Sequence, residues 1–205
     1  MKIFNNFSYL QKAFIVILFF TAVRIFLSYF LELGNDESYY WTFAHQLQWN
    51  YFDHPPLVAL WIRFFTANLL LQDNIFFIRL GSIISCAVSS YFIFKTINTI
   101  STEKAALVGV FLYNISFYAS ITAGLIITPD DPQMVFWTLS MYMLSRILVD
   151  VNRWKYWLLF GISAGLCIMS KVHGVFLWGG FFLYVLFYRR QLFAKPQIYI
   201  AACIT

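Results

Sequence analysis

Apolar runs recur through the sequence at about residues 13–33, 75–97, 105–127, 132–149, 156–169 and 175–188, and another opens near Gln197. Most approach or exceed the roughly 18–20 residues a helix needs to cross a bilayer. Only 11% of the residues are charged and 61% are hydrophobic, against about 25% charged in a soluble domain. The expected fold is therefore all-α: a polytopic membrane bundle of about six transmembrane helices. Interfacial helices are expected in a first outer loop, residues 34–74.

The apolar run at 57–71 is about fifteen residues long and carries Arg63, which suits a helix lying flat rather than a span. With that helix flat, the head and the loops near 98–104, 150–155 and 189–196 share one side. That side holds Lys2, Lys12, Lys95, Lys104, Arg146, Arg153, Lys155, Arg189, Arg190 and Lys195, ten of the fourteen basic residues. Positive-inside bias makes it cytoplasmic. Glu32, Asp36, Glu37, Asp53, Asp73, Asp130 and Asp131 fall on the far side with all three histidines, and Glu103 and Asp150 fall inside. A spanning helix at 57–71 would destroy this sorting.

The formal charge of +5 follows from helix-end lysines and arginines, not from a nucleic-acid patch. Cys86, Cys167 and Cys203 lie scattered in apolar segments and read as small core residues. The first run lacks a small-residue cleavage site and reads as a retained span.

The longest polar interruption, residues 35–56, gathers Asp36, Glu37, Asp53, His45 and His54. Its part from Asp36 to Trp49 fits an amphipathic interfacial helix. The topology brings this loop to one membrane face with Asp130-Asp131, with Lys171 and His173, and with Arg79 at a helix end. Carboxylates beside fixed cations at an interface suit a reaction on a lipid-linked anion. A carboxylate takes a proton from the nucleophile, while cations stabilise a leaving phosphate.

Plainer roles compete at each position. Asn35-Asp36-Glu37 is a natural helix start, and Thr128-Pro129-Asp130-Asp131-Pro132 reads equally as a cap. Asp53-His54-Pro55-Pro56 reads as a turn opening a helix. The aromatics between Tyr39 and Phe52 fit an interfacial belt or a sugar-stacking surface. Arg24, mid-span, must face the bundle or snorkel, and a helix-packing ion pair is the expectation. Two facing acids also suit a glycosidase, but hydrolysis needs no cations on the same rim.

The ordered series D-E-S-Y-Y-W, Y-F-D-H-P-P-L, I-R-L-G-S, T-P-D-D-P and S-K-V-H-G, from residue 36 to 174, resembles the membrane glycosyltransferases of the C superfamily. More narrowly, it is similar to the protein O-mannosyltransferase and aminoarabinose transferase group. The resemblance implies an enzyme that moves a sugar from a polyprenyl-phosphate carrier to an acceptor hydroxyl on protein, lipid A or glycan, with inversion, at the outer face of the cell membrane. It implies Asp36 as catalytic base with Glu37 in support, and Asp53 as a second active-site carboxylate. Donor contacts carry to His54, Arg79, Asp131 and Lys171, with His173 beside them. Gly81 stands where the family often has proline. A divalent metal ion is an open expectation, with Asp53 and His54 as candidate ligands.

Family members usually carry many more spans and often a soluble domain, so residues 1–205 are expected to be the N-terminal transmembrane catalytic region. The expected partners are the lipid-linked sugar, its acceptor and the membrane, and no nucleic acid. Transport or lipid binding without catalysis, or a truncated inactive relative, are the competing readings.

Overall fold

A computed structural model of the chain describes residues 7–205. Lys2, assigned above to the cytoplasmic head, lies outside them. Among the described residues every regular element is helical. Helix α1 (Tyr9–Ser28) opens on a capping box: Ser8 accepts the Gln11 N–H, and the Gln11 side chain accepts the Ser8 N–H. Helix α2 (Asn35–His45) and helix α3 (Leu57–Phe65) fill the first polar loop. Then come α4 (Ile75–Ile100), α5 (Glu103–Ile115), α6 (Asp130–Val149), α7 (Trp154–Ser170), α8 (Phe176–Tyr188) and α9 (Pro196–Ile204).

Helix α4 is the central post, packed by α1, α3, α5 and α6, while α7 lies between α6 and α9. Trp157, Phe160, Leu177 and Phe181 build the core where α6, α7 and α8 meet. Helix α9 comes close enough to α7 that a Cβ on Gly161 would meet the Ala201 carbonyl oxygen at 2.5 Å. Gly165, one turn on, faces Thr205 in the same way; small residues four apart let backbones approach.

Two helices, Tyr9–Ser28 and Ile75–Ile100, are long and apolar enough to cross a membrane. The expected runs at 132–149, 156–169 and 175–188 are helical with ends moved by a residue or two. Two expected helices need correcting. The run at 57–71 is not one helix: α3 ends at Phe65, and Ala67, Asn68 and Leu69 turn through positive φ of 48°, 58° and 71°. Arg63 holds that turn by donating to Asn68 Oδ1 at 2.9 Å, while its Nε caps α2 at the Ala44 carbonyl, 2.6 Å away.

The expected helix at 105–127 is also broken. It stops at Ile115, Ser116 is extended, and a π-helical turn follows at Tyr118–Thr122. A break frees carbonyls that need donors, and Arg24 supplies them. Only 3% exposed, it reaches the Asn114 Oδ1 at 3.0 Å and the Ala119 carbonyl at 3.1 Å. No carboxylate pairs with Arg24 among the described residues. The expected ion pair is replaced by backbone repair.

Candidate active site

The Asp36-Glu37 pair points two ways. Helix α2 begins just after Gly34, and its first turn sends Glu37 into the protein, 1% exposed. There its carboxylate accepts four hydrogen bonds: Arg79 Nε at 2.8 Å, Arg79 Nη2 at 2.6 Å, the Gly34 N–H at 2.9 Å and the Ile127 N–H at 3.1 Å. Arg79, equally buried, spends its remaining donors on the carbonyls of Ser28, Leu31 and Glu32. The five N–H groups of a guanidinium are all engaged. This one ion pair ties the end of α1, the start of α2, the N-terminal part of α4 and the segment entering α6.

Asp36 is exposed, with no side-chain hydrogen bond among the described residues. Tyr39 and Tyr40 follow it by three and four residues, so they share its side of the helix. Tyr39 donates to Asp53 Oδ1 at 3.2 Å, and the Tyr40 ring lies 5.6 Å from that of His54. Burial pushes the Tyr40 hydroxyl up to about 12, helped by Asp53, Asp36 and Asp130. It stays a neutral donor. Burial also lowers His54, with Lys171 and His173 pushing the same way against Asp53 and Asp130. Neutral imidazole is therefore favoured at pH 7, against an ordinary value of about 6.5.

These mutual influences mark one cluster, drawn from α2, the 53–54 turn, the start of α6 and the turn after α7. Lys171 donates to both oxygens of Asp130, at 2.9 and 3.1 Å, and Tyr118 donates to the same carboxylate at 2.9 Å. His173 sits on the short 3₁₀ turn Val172–Val175. Beside the pair is a cavity of about 380 Å³ lined by Asp130, Lys171 and His173 with Tyr118, Gln133 and Trp137 among others. A lining of charged and aromatic side chains together suits an amphiphilic ligand.

Asp131 turns the other way. Fully buried, it accepts the Thr128 N–H and hydroxyl and so ties the segment before α6 to the helix's first turn. So Glu37, Arg79 and Asp131, expected to touch substrate, are all committed to the protein interior. Asp36, Asp53, His54, Lys171 and His173 are brought together as expected, with Asp130 in the place given to Asp131. Among the described residues no group of three or more His, Cys, Asp and Glu is placed to hold a metal ion. Asp53 and His54 stand 3.9 Å apart and offer two donors, fewer than a closed zinc site uses.

A family model described as dolichyl-phosphate-mannose-protein mannosyltransferase matches residues 53–205. The chain belongs to this family. No curated protein and no solved structure matches it. The mannosyltransferase match takes in Asp53, His54, Arg79, Asp130, Lys171 and His173, while α1 and α2, with Asp36, precede it. The family is one of membrane glycosyltransferases of the C superfamily, the group the motif series resembles.

Tyr39 and Tyr40 are legible in the sequence only as belt or sugar-stacking aromatics, and Tyr118 not at all as a site residue. A signal existed for the first two, since i+3 and i+4 from a helical Asp36 is one face. Tyr118 had none, because the π-helical turn that aims it was read as a continuous span.

Proposed function

We propose that this mannosyltransferase-family chain moves a sugar from a polyprenyl-phosphate carrier to an acceptor hydroxyl. On this reading the chain crosses the membrane about six times, with the cluster on the outer face. The single observation that carries the reading is the split acidic pair. Asp36 is left exposed on a helix start that its buried neighbour anchors, on the same helix side as Tyr39 and Tyr40, which meet Asp53 and His54.

Asp36 accepts the proton as the acceptor oxygen attacks the anomeric carbon. The bond from that carbon to the carrier-phosphate oxygen breaks, and the lipid phosphate leaves on the opposite side. An ammonium has three donors, and Asp130 uses two of those on Lys171. The third stabilises the phosphate, with neutral His54 beside it. Asp53 and the Tyr39 hydroxyl orient the acceptor or the sugar ring. No step requires a metal from these donors.

The test uses membranes of the protein's own cell, supplied with a polyprenyl-phosphate-linked sugar, with release of polyprenyl phosphate as readout. Release should depend on the chain and fall at least tenfold in Lys171→Met, mainly through a higher KM for the donor. Donor binding without any release, in wild-type membranes, would leave a lipid-binding protein and end the transferase reading.

A further inference from the structure

Helix α2 carries a second surface, turned away from the carboxylate cluster. At 100° per residue, Trp41 lies about 140° round the helix from Asp36 and about 160° from Tyr39. His45, one turn on, shares the Trp41 side and meets its ring edge-on with centroids 4.2 Å apart. Between this corner and the chain that leaves α2 is a pocket of about 410 Å³, lined by Trp41, Thr42, His45, Gln46, Gln48 and Tyr51, with Phe43 beneath.

The pocket is built rather than incidental. The Tyr51 ring stacks on Phe43 with centroids 3.8 Å apart and planes 3° from parallel. Its hydroxyl donates to the Phe43 carbonyl at 2.8 Å and accepts the Gln48 N–H at 3.2 Å. The loop that presents Gln46 and Gln48 is thereby pinned, and Arg63 caps the helix end just before it.

The lining chemistry is selective. No lysine, arginine or carboxylate contributes, so nothing there recognises a phosphate or another ion. The side chains of His45, Gln46 and Gln48 make no hydrogen bond among the described residues and are exposed. Each carries donors and acceptors together. An aromatic face beside unpaired amides matches a neutral ring with an apolar C–H face and a rim of hydroxyls.

We propose that this pocket is a subsite for a neutral sugar unit of the acceptor, which makes the acceptor a glycan or a glycosylated molecule. The inference rests on the sugar-transfer reading for the word acceptor, while the binding claim stands alone. The donor sugar is not the occupant, because its anomeric carbon must reach Asp36 on the other side of α2.

The experiment is saturation-transfer NMR on the full chain in lipid nanodiscs without donor, using methyl mannoside, maltose and lactose as probes. At least one probe should give a saturable signal. Gln46→Ala/Gln48→Ala should weaken it at least tenfold without changing the melting temperature, since both side chains are exposed and unpaired. Asp36→Asn should leave it unchanged. In the transfer assay the double variant should raise KM for the acceptor and leave KM for the donor alone. Absence of a saturable signal from all three probes, or a signal the double variant does not weaken, overturns the proposal. Binding that persists in a chain that transfers no sugar would spare the pocket and reject the transferase reading instead.

Discussion

Arg79→Met should lower the melting temperature of the detergent-solubilised chain by about 10 °C or more. Breaking a buried pair from one side costs about 3–5 kcal/mol, because the other charge stays buried and uncompensated. Here the loss also strands the carbonyls of Ser28, Leu31 and Glu32, which Arg79 serves alongside Glu37. The double variant Glu37→Leu/Arg79→Met removes both charges and leaves only backbone groups unpaired, the three carbonyls together with the Gly34 and Ile127 N–H groups that Glu37 serves. If the pair alone mattered, an apolar replacement of both partners would be nearly neutral. Those backbone groups remain without partners, so the double variant should melt well below wild type. A double variant within about 2 °C of wild type, under 1 kcal/mol for a chain of this size, would show that these backbone bonds carry little.

Asp36→Asn should abolish most transfer and leave the fold alone. General-base catalysis is worth about 10²–10⁴ in rate, so the initial rate should fall by that range with donor KM little changed. The melting temperature should match wild type, because the side chain is exposed and unpaired and asparagine suits a first helical turn. Glu37→Gln should show the opposite pattern: a lower melting temperature, with residual transfer tracking the folded fraction. Wild-type transfer by Asp36→Asn would remove the base from the mechanism, and Asp53 would be examined next.

What could be read from the residues depended on whether the signal was local. Helix positions followed from apolar run length, so α4, α6, α7 and α8 lay close to expectation. The convergence of Asp36, Asp53, Lys171 and His173 followed from topology plus charge sorting, and it is present. Side-chain direction at adjacent acids did not follow. Asp36-Glu37 and Asp130-Asp131 each place one carboxylate inward and one outward, and neighbours on a helix differ by about 100°. The register that decides between them is set by Arg79 for the first pair and by Thr128 for the second. Arg79 is 42 residues from Glu37 in sequence. Reading the motif in register with its family assigned the outward role to Asp131, one residue beyond the carboxylate that meets Lys171. The break after α5 was hidden because Arg24, 90 residues from Asn114, supplies the hydrogen bonds that make it tolerable.

Direct displacement with Asp36 as the base fixes the stereochemistry of the product, and that gives the sharpest test. The anomeric proton coupling of the transferred sugar, read by NMR in donor and in product, should show opposite configurations. Retention of the donor's configuration would require a covalent sugar intermediate, which contradicts Asp36 as a base and makes a carboxylate of this cluster the nucleophile.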